Sequence, residues 1–310
     1  MPPMTHPVLA ALRERPPGAR IVVVVEGGGM RGAVSGGMAL ALHELGLAGA
    51  FDAAYGSSAG ALNAMWLVSG RLPQGIPTWT DPRLVHALIR RRRALRGGPV
   101  VDVRRLVEER YEQLSPGLFA AVLASPTELH PIATDVASGA AVDLHDRIAD
   151  ERTLRVALHA SAALPLLAGP PVQLDGCRLL DAGLSAAIPF RAAVAGGATH
   201  VLVLRSRRAG ETAQPPGRVA GALTARLLRR VDPAVAQAFL TRAEREADDE
   251  ALLARHDADP ALAPAVLSIR PAPGSVAPSR LEHDIDVIRA GLEAGRAAVL
   301  ERLGGRARTA

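Results

Sequence analysis

The sequence contains no lysine: all 36 basic residues are arginine, set against 31 acidic ones for a formal charge of +5. That modest excess favours anionic surfaces. Cysteine occurs once, at Cys177, which excludes intramolecular disulfides and cysteine-rich zinc sites. Aromatic residues make up only 3% of the chain. Single-stranded nucleic acids are bound on aromatic stacking platforms, so no nucleic-acid role is expected. No apolar run reaches the ~18 residues of a membrane-spanning helix. Met1 to Gly18 is rich in Pro and Arg and lacks a basic start followed by an apolar core. No Sec-type signal is read there, and a cytoplasmic location is expected. No His, Asp or Glu cluster has calcium-loop or zinc spacing, so neither metal nor cofactor is expected.

Apolar residues, at 48%, supply a sizeable core, and charged residues, at 22%, argue against disorder. Ile21 to Val25 is an unbroken β-branched run, as in a central parallel strand buried on both faces. A glycine-rich turn, Glu26 to Gly32, follows it, and then a helical pattern over 34–47. Phe51 to Tyr55 repeats the strand, Gly56 to Gly60 the turn and Ala61 to Val68 the helix. Strand, glycine turn and helix, twice over, predict an α/β fold with a central, mostly parallel sheet flanked by helices. Further strands are expected over 129–134 and 140–144, paired as a hairpin, over 172–180 around Asp175-Gly176, and over 200–205 and 266–270. Helices are expected over 83–96, 102–114, 151–163, 219–256 (broken near Pro233) and 280–303, and a Pro-rich loop over 72–82. Residues 1–19 are expected as an extension and 20–310 as one domain, with a motif-bearing core (20–205) and a helical remainder (206–310).

The first turn has two readings. Gly27, Gly29 and Gly32 fit G-x-G-x-x-G, and Asp52 lies about 20 residues on, as in a dinucleotide-binding oxidoreductase. That acid should close the second strand, but Asp52 opens it. Alternatively, successive small residues leave backbone N–H groups free to converge as an oxyanion hole, helped by the dipole of the next helix. The second turn favours the latter. Gly56-Ser57-Ser58-Ala59-Gly60 is G-x-S-x-G, in which a serine on a sharp strand-to-helix turn is exposed only if its flanks are small.

Serine needs a base. Among the nine histidines, His200 follows Asp181 in the hydrolase order Ser, Asp, His, but it opens a strand and reads as structural. Asp181-Ala182-Gly183 is the better candidate: a carboxylate tuned by burial can take the serine proton directly. Asp135 and Asp175 are competing acids, each in a plausible turn.

Together these residues resemble the patatin-like phospholipases, serine lipid acyl hydrolases with a Ser–Asp dyad. Four blocks match in order: Gly27-Gly28-Gly29-Met30-Arg31-Gly32, Gly56 to Gly60, Ala160-Ser161-Ala162-Ala163-Leu164-Pro165, and Asp181-Ala182-Gly183. Thr134-Asp135 with Gly139 is similar to the family's mid-domain strand and turn. The resemblance implies a three-layer α/β/α fold, Ser58 as nucleophile and Asp181 as base. It implies an oxyanion hole from the N–H groups of Gly28, Gly29 and Met30 with Arg31 beside it, and supporting roles for Gly27, Gly32, Gly56, Gly60 and Gly183. The Ala160–Pro165 block would pack beside the site. One departure is Ala187-Ile188-Pro189, where the family often has Asn before the Pro.

The implied activity is phospholipase A-type or esterase cleavage of fatty-acyl esters through an acyl-serine intermediate. A catalytically inactive scaffold of the same fold is the alternative, against which the intact Ser58 and Asp181 argue. The substrate is expected to be a phospholipid or another fatty-acyl ester. Met30, Met38, Leu62, Met65 and Leu164 lie near the motifs as either channel or core, and Trp79 sits in the Pro-rich loop. Arg90 to Arg93 beside Leu84, Val85, Leu88 and Ile89 reads either as a solvated face or as a basic amphipathic surface for peripheral contact with the inner membrane.

Overall fold

The computed structural model describes residues 6–211 and 215–304. At its centre lies strand β1 (Ile21–Val25), each of whose five residues is buried. Around it run β2 (Ala53–Ser57), β3 (Glu128–Asp135), β4 (Ala141–Asp143), β5 (Val172–Leu174), β6 (Cys177–Asp181), β7 (His200–Leu204) and β8 (Ala265–Ile269). Among the described residues these eight strands form one sheet, ordered β5-β6-β3-β2-β1-β7-β8 with β4 also on β3. The run β3-β2-β1-β7-β8 is parallel throughout. Strands β4, β5 and β6 extend it in antiparallel fashion. The sheet is therefore mixed and mostly parallel, as expected.

Helices used below are α1 (Pro7–Arg13), α2 (Gly32–Glu44), α3 (Ala59–Val68), α4 (Glu151–Ser161), α5 (Arg218–Leu228), α6 (Pro233–Leu240), α7 (Arg242–Ala258) and α8 (Ile285–Gly304). Because successive strand side chains alternate in direction, β1 feeds two cores. Ile21, Val23 and Val25 pack in the layer of α2, α3 and α8. Val22 and Val24 pack on the other side with Phe190 and Leu253. Helices thus cover both faces, giving three α/β/α layers. Each fully buried valine contributes about 1.5–3 kcal/mol relative to exposure, which is why an all-aliphatic strand takes the middle.

The structure departs from the sequence expectations at several ends. The stretch before residue 20 carries α1, whose Val8, Ala11 and Leu12 join the larger core. The helix expected over 83–96 stops at Leu88, and Ile89 bridges to Val101 instead. The Pro-rich 72–82 stretch is not a plain loop but two short helical turns, Leu72–Gly75 and Ile76–Thr80. The last helix starts only at Ile285, where the Asp284 side chain accepts from the Asp286 N–H. Residues 271–284 instead run as an irregular strap. Helix α8 packs against α2 backbone to backbone. A Cβ on Gly295 would lie 2.0 Å from the Val34 carbonyl oxygen, and one on Gly37 equally close to that of Leu292.

A buried charge network ties the centre of the sheet to the C-terminal part. Glu26, directly after β1, accepts from Arg205 Nε at 2.9 Å and from the Ser206 N–H at 2.7 Å. Arg205, with no exposed side-chain surface, also pairs with Glu250 on α7, which Arg270 reaches at 2.5 Å. Arg207 pairs with Glu246 at 2.7 Å. Burial alone would raise the Glu26 pKa, but the charges of Arg205, Arg207 and Arg31 outweigh it and hold the carboxylate at about 2.

Removing one partner of such a network leaves a buried charge uncompensated. Arg205→Leu should therefore destabilise the fold by about 3–5 kcal/mol. Arg296→Ala, which breaks a partly exposed pair with Glu44, should cost no more than ~1 kcal/mol. Urea denaturation of both variants against the parent checks the contrast; equal midpoints would contradict it.

Candidate active site

Ser58 joins β2 to α3 with φ 54° and ψ −125°, a conformation that costs a non-glycine residue about 1–3 kcal/mol. The chain can turn this tightly only because its neighbours lack side chains. A Cβ on Gly60 would stand 2.2 Å from the Val25 carbonyl oxygen, and one on Gly56 would stand 2.4 Å from Ala61 Cα. The turn places Ser58 as the N-cap of α3, with its backbone N–H donated to Ser161 Oγ at 3.0 Å. This is the local role of the Ala160–Pro165 block, and the Ala163 carbonyl in turn accepts from the Asp181 N–H at 3.0 Å.

Ser58 Oγ donates to Asp181 Oδ2 at 2.6 Å, and both residues are buried. Asp181 ends β6, and its other oxygen, Oδ1, accepts from the Gly183 N–H at 2.7 Å. Thr134 Oγ1 on β3 holds the Asp181 carbonyl at 2.8 Å. The competing acids lie elsewhere: Asp135 accepts from the Ser138 N–H, and Asp175 sits in the β5–β6 hairpin turn at φ 48°. His200 sits at the start of β7, with Nδ1 2.9 Å from Thr199 Oγ1, at the end of the sheet away from Ser58. Asp52 also lies at that far end, accepting from the Ile21 N–H at 2.7 Å and pairing with Arg15. No acid closes β2, as the dinucleotide reading would need.

The glycine turn after β1 is anchored from three sides. The Gly27 N–H donates to the Ala187 carbonyl at 3.0 Å, and Ser57 Oγ to the Ala186 carbonyl at 2.6 Å. Backbone bonds thus hold the loop that lacks the expected Asn. Ser206 Oγ donates to the Gly27 carbonyl at 2.8 Å. The third side corrects the expected oxyanion hole. The strap crosses the turn, and the Met30 N–H is donated to the Arg280 carbonyl at 3.0 Å. Gly29, at φ 60°, leaves room for that oxygen, which a Cβ there would meet at 2.4 Å. The N–H groups of Gly28 and Gly29 have no hydrogen-bond partner among the described residues.

A model of the patatin-like phospholipase family matches residues 23–194. The chain belongs to that family. The uncharacterized protein YjjU of Escherichia coli (strain K12) is 32% identical over 216 residues, which cover 66% of this chain and 57% of that protein. The chain therefore matches less than two thirds of that curated relative's length. The crystal structure of VipD from Legionella pneumophila aligns over 92% of this chain and 67% of that one, with 12% identity and a TM-score of 0.45.

In this patatin-like chain two clefts meet at Ser58. One is apolar, lined by Met30, Leu62, Leu88, Val101, Leu106 and Leu164 among others. Of the apolar residues near the motifs, Met30, Leu62 and Leu164 line this cleft, whereas Met38 and Met65 are core. Trp79 lines it too, lying over Gly32 with its Nε1 donated to Asn63. Of the apolar partners of the Arg90–Arg93 run, Val85 lies in the core and Leu88 and Ile89 line the cleft, while Leu84 is half-buried. The second cleft carries charged groups, being bordered by Gly28 and Gly183, by the carboxylates of Glu26 and Asp181 and by Arg31, Arg207 and Arg280. No histidine lines either cleft among the described residues.

Burial pushes the Asp181 carboxyl pKa up; the hydrogen bonds from Ser58 and Gly183 and the charges of Arg280 and Arg242 offset only part of this. Burial pushes Arg31 down to about 10, with Arg207 adding repulsion. Its Nε is buried without a hydrogen-bond partner among the described residues. Among the described residues no group of three or more His, Cys, Asp or Glu side chains could hold a metal ion, and no helix is long and apolar enough to cross a membrane. Sequence reasoning missed Ser206, Arg207 and Arg280. The first two were signalled by acidic Glu26 directly after β1 and by arginines directly after the adjacent strand β7. For Arg280, in an irregular segment, no signal exists.

Ser161→Ala removes the acceptor of the buried Ser58 N–H and should cost about 1–3 kcal/mol in a denaturation experiment. A variant as stable as the parent would show that this bond does not hold the turn.

Proposed function

We propose that the protein is a serine acyl hydrolase that cleaves fatty-acyl esters, with Ser58 as nucleophile and Asp181 as base. The observation that carries this is the 2.6 Å hydrogen bond between Ser58 Oγ and a buried carboxylate, formed on a strained strand-to-helix turn. Ser58 Oγ attacks the ester carbonyl carbon while its proton passes to Asp181 Oδ2. Charge develops on the former carbonyl oxygen, and the open N–H groups of Gly28 and Gly29 are the donors available to meet it. Collapse breaks the bond to the alcohol oxygen, which leaves with the proton from Asp181. Water then gives a proton to Asp181 and attacks the acyl carbon. The fatty acid departs and the proton returns to Ser58 Oγ.

The two clefts suit the two halves of such a substrate. The apolar side, beside Met30, Leu62 and Leu106, matches an acyl chain in chemistry; its cleft of about 50 Å³ must widen to admit a long one. The alcohol fits the side that carries Arg31, Arg207 and Arg280, whose charges Glu26 and Glu246 partly offset. Phospholipids and other fatty-acyl esters are accordingly the proposed substrates.

Hydrolysis of p-nitrophenyl esters from short to long acyl chains tests the reading. Ser58→Ala and Asp181→Asn should each lower kcat/KM by roughly 10⁴-fold or more while folding normally. Turnover that survives Ser58→Ala would sink the proposal. The pH profile is a second test. A base must be deprotonated to work, and burial raises the pKa of Asp181. Activity should therefore rise with pH through a limb above the ordinary aspartate value of ~3.9 and level off beyond it. A limb at or below that value would contradict Asp181 as the base.

A further inference from the structure

Helix α5 carries three of its four larger apolar side chains, Val219, Leu223 and Leu227, on the side away from the protein. Its buried face is Gly221, Ala225 and Leu228. Val219, Leu223 and Leu227, spaced at i, i+4 and i+8, point outward with 86%, 60% and 36% of their surface exposed. An ordinary surface helix does the opposite, turning its bulky aliphatic stripe to the core. Four arginines flank the stripe, Arg218, Arg226, Arg229 and Arg230, all exposed. No acidic residue occurs between 215 and 231, and none of the four has a carboxylate within ion-pair distance among the described residues.

We infer that α5 is a docking surface for an anionic lipid membrane. An outward apolar stripe beside an all-basic flank matches the acyl boundary and the head groups of such a bilayer together. Charge disfavours a second copy of the chain: face-to-face pairing would set this arginine flank against its own twin. The helix also sits near the proposed dyad. Leu228, on its inner face, shares one cluster with Leu180 and Leu184, on either side of Asp181, and with Val136 at the end of β3. Docking through α5 would thus seat the protein on the lipid close to Asp181. That consequence for substrate delivery rests on the acyl-hydrolase reading, whereas the docking surface itself does not.

The test uses the full chain carrying Ser58→Ala, so that vesicles are not consumed. Cosedimentation is measured with phosphatidylcholine vesicles and with phosphatidylcholine–phosphatidylglycerol vesicles. Binding is expected to the anionic vesicles only, weakening as salt is raised. Adding Val219→Glu with Leu223→Glu should lower the partition coefficient at least about tenfold, and so should adding Arg226→Glu with Arg230→Glu. Thermal melts matching the parent would show that these exposed substitutions leave the fold intact. Anionic vesicles bound equally by parent and variants, or not bound at all, would overturn the inference. So would a concentration-dependent dimer in sedimentation velocity that the Val219→Glu, Leu223→Glu pair dissolves. With Ser58 restored, hydrolysis of a soluble short-chain ester should be unchanged by the α5 substitutions. Vesicle binding without any ester hydrolysis by the parent would count against the acyl-hydrolase reading and leave the docking surface standing.

Discussion

A serine held at positive φ is a small source of strain that the surrounding structure must over-determine. The φ of 54° at Ser58 persists because several independent contacts meet around it. Gly60 lets α3 approach the Val25 carbonyl, so the turn after β2 is pressed against the end of β1. Ser161 takes the Ser58 N–H from the side of α4. Ser57, one residue earlier, is tied to the loop after β6 through the Ala186 carbonyl. Each contact comes from a different part of the chain, and each would relax if the serine moved to an ordinary conformation.

The candidate site is also a junction between two kinds of sheet. The parallel part delivers the glycine turn and Ser58 from the ends of neighbouring strands β1 and β2, where chain leaving a strand is free of the sheet's hydrogen bonding. The antiparallel part delivers Asp181 from β6, which runs against β3. Strand β3 belongs to both, pairing with β2 along most of its length and with β6 near its end. Thr134 marks the crossing by holding the backbone of Asp181.

Much of this was legible because it is local. The β-branched run at Ile21–Val25 and the small residues of both turns state their backbone requirements within five or six positions. The hairpin at Asp175-Gly176 does the same. The pairing of Ser58 with Asp181, 123 positions apart, became readable only through the order of the four blocks. What escaped is set by tertiary contact. The strap over 271–284 has no periodicity, yet it takes the Met30 N–H. The Leu84–Ile89 stretch looks amphipathic, and only tertiary contact puts Val85 in the core and Leu88 and Ile89 against a cleft. The glycines of α2 and α8 matter only as a pair, because each makes room for the other's backbone.

The Glu26 network has a bearing on how the chain can be divided. The family match ends at residue 194, before Arg205, Arg207, Glu246 and Glu250. An excised fragment with those limits would retain the carboxylate next to the glycine turn and lose the two guanidiniums nearest in charge to it. Relieving that stranded anion requires either a proton or water, and either would loosen the turn. The family match and the folding unit therefore have different borders in this protein: the electrostatic unit reaches into α7, past residue 194 where that match ends.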